Sequence, residues 1–506
     1  MAKSSKSGKS SRKVASGGMI AVIVIFAIVI VGFFTYISGI LPKTMTGVGI
    51  TETLSDGSTK TVKNYTVLET NFHFKEVYDS YSQYGMVSEE HLDEVYDPNT
   101  GETYRDWLLR EAAKQMKTLA LVERAAKDSG FIEMSKAREL SSNNMKMLDL
   151  YAAMYGLSEQ QYLQSLYGTG MSRRNYIDFQ SSEVLVQEYG NYLQQFDPAV
   201  VPTDEQVQAR CDEDLNKCYV VDYNSYYIPS DKDESGKVID FDKCVAEANK
   251  IADATTDSAS FRQAVMAYLE AKGDEEGLKA YDEGSDPTYT EHFSYSDAAY
   301  MNADVKSYIF GENNPGDVKV IETEFGAYVV FIADKKMDDT AAVSYRVLNL
   351  STGVKTESTP EEITAAVNQT IADANSYCIQ GMDPLSFYKV VRDHSTDSDV
   401  VLTGGYRAGA TAESLKPNEG EGQDPAEAEA EAWLFESDRK QGDIKIVVSA
   451  DQKTVSVYYF EASRPVWFNS VRDQMIADNF AQWNLNLESN NPQYVVNAGF
   501  CKYLIY

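Results

Sequence analysis

The chain has 506 residues, a formal net charge of −31 and four histidines. That length holds three or four domains, and the acidity argues against nucleic acid as a partner, because phosphate recognition needs a basic face. The five cysteines are odd in number and include no CxxC pair, so no zinc site can be built on known ligand spacings, and no metal or other cofactor is expected.

The first 18 residues carry Lys3, Lys6, Lys9, Arg12 and Lys13 and no acid, which leaves −36 for the remainder. An uncharged run follows from Met19 to Leu41. It is about 23 residues, or roughly 34 Å as a helix, enough to cross a bilayer core. The expectation is a single transmembrane signal anchor at 19–41, with a basic cytoplasmic tail at 1–18 and the bulk outside the cytoplasm at a cell membrane. A cleaved signal peptide competes with it, but such peptides carry a shorter apolar region, about 7–15 residues.

Residues 44–100 read as an extended or irregular start, with strand-like Val48-Gly49-Ile50 and Tyr65-Thr66-Val67-Leu68. Residues 101–215 read as an all-helical domain. Leu109, Ala112, Ala113, Met116, Leu119 and Ala120 recur at helical intervals before Gly130. A second helix is expected from Ser135 to Met154. Ser158-Glu159-Gln160-Gln161 is a capping box that opens a third, Ser172 can cap a fourth, and Thr203-Asp204-Glu205-Gln206 opens a helical lead-in. Cys211 and Cys218 stand two helical turns apart, open to a disulfide, a metal pair or coincidence.

Two modules follow, at 218–336 and 342–462. Tyr308-Ile309-Phe310-Gly311-Glu312-Asn313-Asn314-Pro315-Gly316-Asp317-Val318 matches Trp433-Leu434-Phe435, a polar turn and Gly442-Asp443-Ile444, about 125 residues later. Pairing Tyr223 with Tyr345, Phe261 with Phe387 and Phe310 with Phe435 gives offsets of 122, 126 and 125. That period suits one small domain and is too long for a solenoid unit. In the second module Thr359-Pro360-Glu361-Glu362 opens a helix, with a Thr cap and Pro at its first position. The acidic, Ala/Glu/Gly-rich stretch 413–431 reads as a solvated loop. Residues 463–506 read as a C-terminal helix and tail.

The order strand, helix, helix, Gly-rich turn, helix, Gly-Asp-strand, closing strand resembles a parvulin-type peptidyl-prolyl isomerase domain. Phe387 through Asp397 and Gly404-Gly405-Tyr406-Arg407-Ala408-Gly409 carry the likeness in the second module; Glu324-Phe325-Gly326-Ala327-Tyr328-Val329-Val330 carries it in the first. Tyr155-Gly156-Leu157-Ser158-Glu159-Gln160-Gln161-Tyr162-Leu163 and Gly170-Met171-Ser172-Arg173-Arg174 make the helical block similar to the amino-terminal chaperone domain of SurA- and PrsA-type foldases. The resemblance implies an α+β architecture: a transmembrane helix, an all-α chaperone-like domain, two parvulin-like α/β modules and a C-terminal helix. It also implies unfolded secreted polypeptides as partners.

The family places two histidines on adjacent strands beside a Met/Phe slot. Here Ser225 or Tyr226 and Arg346 stand where the first His is expected, Tyr328 and Ser456 or Val457 where the second is. Met301 keeps the slot methionine, but its partner is Val305. The histidines His73, His91, His292 and His394 lie elsewhere. No catalytic residue is therefore assigned. The peptide-binding candidates are Tyr226, Met301, Phe310, Tyr328, Arg346 and Phe435, although core packing is the stronger reading of Phe310 and Phe435. The function expected is a membrane-anchored foldase-chaperone with degenerate modules. The alternatives are an active prolyl isomerase and a non-catalytic adaptor of the cell envelope.

Overall fold

The structure, a computed structural model, describes residues 39–504 except 214, 234–235, 282–285, 296 and 418–421. In chain order it begins with α1 (Ile40–Thr44), β1 (Thr46–Thr53), β2 (Thr59–Thr66), α2 (Val67–Ser82), β3 (Val95–Asp97), β4 (Glu102–Thr103), α3 (Tyr104–Asp128), α4 (Ala137–Met154), α5 (Glu159–Tyr167), α6 (Arg173–Phe196) and α7 (Asp204–Glu213). The first module holds β5 (Tyr219–Pro229), α8 (Phe241–Ala254), α9 (Ser258–Lys272), α10 (Glu275–Lys279), β6 (Tyr289–Ser294), α11 (Ala303–Ile309), β7 (Val318–Thr323) and β8 (Gly326–Met337). The second holds β9 (Ala341–Ser351), α12 (Pro360–Tyr377), α13 (Pro384–His394), α14 (Ser398–Thr403), β10 (Tyr406–Thr411), α15 (Pro425–Leu434), β11 (Ile444–Val448) and β12 (Thr454–Pro465). The chain closes with α16 (Val466–Leu487), β13 (Gln493–Val496) and α17 (Ala498–Leu504). Unit 1 comprises the described residues up to Tyr192 and those from Ala481 on; unit 2 is Leu193–Phe480.

The expected membrane anchor is corrected. Among the described residues no helix is long and apolar enough to cross a membrane. The tail 1–18 and positions 19–38 of the apolar run lie outside the described residues. Its last residues belong to a turn and a five-residue helix: Gly39 is left-handed (φ 67°), abuts the backbone of Gly170, and leads into α1, where Pro42 is buried. A single-pass anchor, and the membrane localisation built on it, therefore have no support.

Residues 101–215 are helical as expected, as α3 to α7, apart from β4 at Glu102–Thr103. Unit 1 also contains strands from outside that block: an antiparallel sheet in the order β13-β1-β2, and β3, which pairs with β4. Val48 and Ile50 of β1 are fully buried against Ala113, Met116 and Ala120 of α3. The stretch expected to be irregular includes α2. Thr66 caps it by accepting the Glu69 N–H at 3.1 Å. Val67, Leu68, Phe72, Phe74 and Val77 are buried around almost its whole circumference. Those aromatic and β-branched residues favour strands in isolation, but burial on several sides decides for the helix.

Each module of unit 2 folds around a four-stranded antiparallel sheet, ordered β6-β5-β8-β7 in the first and β10-β9-β12-β11 in the second. In the first, α8 and α9 cover one face through Ala248, Ile251, Phe261 and Val265, which meet Ile228, Val329 and Phe331. Val305, Ile309 and Phe310, from α11 and its C-terminus, cover the other face against Tyr223, Val330 and Ile332. The second repeats the plan, with α12 and α13 on one face and α15 on the other.

The repeated Gly-Asp has a local cause. Gly316 donates its N–H to Ile332 O (2.7 Å) and Ile332 returns its own to Asp317 O (2.9 Å); Gly442, Phe460 and Asp443 make the same exchange at 3.0 and 2.9 Å. The two Asp carboxylates accept the N–H of the residue three earlier, Asn314 or Lys440. Gly316 and Gly442 have φ of 97° and 93°, a region that penalises any side chain.

Thr359 and Glu362 form the expected capping box of α12. The acidic stretch departs from its loop reading: Asp424 caps and Pro425 starts α15, and the Ala/Glu run continues it because those residues are strong helix formers.

Candidate functional site

Met301, Phe310 and Tyr328 come together on the α11 face of the first module, with Phe293, Tyr295 and Tyr308. Phe310 is 2% exposed and packs in the core. Tyr226 does not join them. Successive strand residues face opposite ways, so Tyr226 points to the α8–α9 side and meets Tyr268. Its neighbour Tyr227, which the sequence reading missed, sits opposite Tyr328 with ring centroids 4.6 Å apart. This face is filled by its own aromatic rings.

Arg346 is not a surface contact either. It is completely buried. Its Nε donates to Glu461 Oε2 (2.8 Å), and Nη1 donates to Gln195 Oε1 (2.7 Å) and Gly404 O (3.2 Å). The guanidinium also lies over the rings of Phe196 and Tyr406. Arg346 is thus a structural tie of the second module. Phe435 is half-buried on the α15 face.

Phe435 also borders a groove within unit 2. A cavity of about 690 Å3 is lined by Phe435, Val220, His292, Asp338, Val466 and Ser470, among others. A second, of about 390 Å3, shares Val220, Asp338, Val466 and Ser470 with it and adds Tyr219, Tyr295, Trp467 and Met475. The walls are mixed: Val220, Phe435, Val466 and Trp467 alternate with Ser294, Asp297, Thr340, Glu413, Ser470 and Gln474. Among the polar lining residues, Asp338 is buried and the Nε2 of His292 lies 2.7 Å from its Oδ2. His292 is half exposed and bound to the Asp338 carboxylate.

Unit 1 carries a surface that the sequence reading missed. On α4 the buried stripe is Ala137, Leu140, Ser141, Met145 and Ala152. A second apolar stripe faces solvent: Met147 (53% exposed), Leu150 (54%), Tyr151 (42%) and Met154 (72%), continued by Tyr155 (70%). Tyr155 stacks on Tyr162 of α5 at 5.8 Å. The signal was available, since 147, 150, 151 and 154 follow the i, i+3, i+4, i+7 rule. A helix with two apolar stripes buries one and leaves the other for something else.

A third cluster in unit 1 joins α2 to α6. His73, 2% exposed, presents Nδ1 to Glu183 Oε1 at 2.9 Å and to Glu76 Oε2 at 3.5 Å. Burial opposes a charge on His73, but the two carboxylates outweigh it and push the imidazolium up to about 9. Burial, reinforced by Glu183, raises Glu76 to about 8. Glu183 is held below its ordinary value because its bonds to His73 and Glu76 overcome its burial.

No family model matches the chain, and no curated protein matches it. The functional reading therefore rests on these surfaces and on the repeated modules.

Proposed function

We propose that this protein binds unfolded polypeptide as a chaperone of the foldase kind, with two parvulin-like modules serving as binding platforms without catalysis. The observation that carries the reading is the exposed stripe Met147, Leu150, Tyr151, Met154 and Tyr155. Methionine and tyrosine adapt to many apolar partners: the first is unbranched and polarizable, the second combines a flat apolar body with a polar tip. The groove beside Phe435 and Trp467 supports it with a second surface, where aromatic rings stand among polar groups that can bond an extended backbone. The resemblance of the modules to parvulins, without a histidine at either catalytic position, turns the same scaffold from reaction to retention.

The test is suppression of aggregation of a chemically unfolded client by the full chain. Leu150→Glu/Met154→Glu, at exposed positions, should leave the fold intact and reduce suppression at least fivefold. Unchanged suppression would reject the stripe as the client surface. One observation favours prolyl isomerisation instead: Tyr328, in the closing-strand histidine position, shares its face with Met301. Exchange in an Ala-Pro-Phe peptide should be no faster than in buffer; acceleration abolished by Tyr328→Ala would establish that second reading.

A further inference from the structure

We propose that His73, Glu76 and Glu183 form a binding site for one divalent transition-metal ion of the zinc class, which clasps α2 to α6 within unit 1. His73 and Glu76 stand one turn apart on α2, and Glu183 reaches them from α6. One ligand atom from each, the imidazole Nδ1 and two carboxylate oxygens, lies within 4.8 Å of the others. Small side-chain rotations bring them to the roughly 3.4 Å edges of a tetrahedron with bonds of about 2.0–2.1 Å. A mixed imidazole and carboxylate set suits zinc and its first-row neighbours better than calcium or magnesium, which prefer all-oxygen shells.

Two lysines of the same unit are engaged elsewhere. Lys63 is engaged by Glu123 (2.8 Å) and Glu69 (3.7 Å). Lys75 is paired with Asp79. The ring edges of Phe72 and Tyr65 that flank His73 bring no charge. A divalent ion with a neutral imidazole and two carboxylates sums to zero. The ring turns Nδ1 toward both carboxylates. Glu76 and Glu183 keep 36% and 32% of their side chains exposed, which leaves an entry path and room for a water as fourth ligand.

The test uses the full chain, stripped with chelator, and titrates Zn2+ and Mn2+ calorimetrically. One saturable site is expected, with Glu183→Gln and Glu76→Gln each weakening it at least tenfold. The exposed control Glu270→Gln should leave it unchanged. Zinc should raise the melting temperature of the parent chain but not that of the two variants. Absence of a saturable site, or variants that bind as the parent does, would overturn the proposal and leave a proton-sharing ion pair. X-ray absorption at the zinc edge gives an independent reading if a variant misfolds. One imidazole among oxygen neighbours is expected, and a shell without imidazole would refute the site.

Discussion

Replacing Arg346 by methionine should destabilise unit 2 more than any loss of surface charge could. Arg346 has no exposed area and ties Glu461, Gln195 and Gly404 together. The change leaves Glu461, 17% exposed, without its cation, and removes the plane that Phe196 and Tyr406 pack against. Breaking a buried pair by deleting one partner costs about 3–5 kcal/mol. Unit 2 spans residues 193–480; at roughly 2.1 cal/mol/K of unfolding entropy per residue, that is a fall in melting temperature of about 5–8 °C. Arg346→Met/Glu461→Leu removes both charges and should recover most of the loss, because an apolar pair of similar volume is commonly as stable as the ion pair. Urea unfolding followed by the fluorescence of Trp433 and Trp467 measures both variants. A cost below about 1 kcal/mol for the single substitution, or a double variant no better than the single, would refute this account of the tie.

The two Gly-Asp turns should respond unequally to alanine. Gly316 has open space around it, so Gly316→Ala should cost about 1–2 kcal/mol for its positive φ alone; Gly442→Ala should cost more in denaturant titration, because a Cβ there would meet the Gly381 Cα at 2.7 Å. The free thiols should be inert in the native protein. Burial pushes Cys378 up to about 12 and Cys501 up to about 11, and Cys244 is buried too, so iodoacetamide at pH 8 should label none of them until denaturant is added. Reducing the disulfide between Cys211 and Cys218, which are seven residues apart, should lower the stability of unit 2 by about 2–3 kcal/mol, read as a shift in the urea midpoint.

What could be read from the sequence was set by neighbours in the chain. The Asp carboxylate bond of the Gly-Asp turn, the Thr359–Glu362 and Ser158–Gln161 capping boxes and the proline at the start of α12 are fixed within four residues, and they stand where the pattern puts them. What escaped depends on distant partners. The residues of α2 look strand-forming until their burial on several sides is known. Tyr226 and Tyr227 differ by one position, and a one-residue shift exchanges the faces of a strand. Arg346 reads as a replacement for a catalytic histidine, yet its partner Glu461 is 115 residues away. Nothing local announces that pairing. The cluster of His73, Glu76 and Glu183 was equally hidden, because its third member arrives from another helix.

The sheet of unit 1 sets an order of events during synthesis. Val48, Gly49 and Ile50 of β1 pair with Val496, Val495 and Tyr494 of β13, so this sheet waits for nearly the whole chain to leave the ribosome. Residues 193–480 are contiguous and need nothing from that strand, so they are free to mature first. Until then β1 presents an open hydrogen-bonding edge, the kind of template on which chains mispair. A polypeptide truncated just before Gln493 would keep that edge for life, and protease resistance of its two halves should part company: unit 2 intact, unit 1 digested.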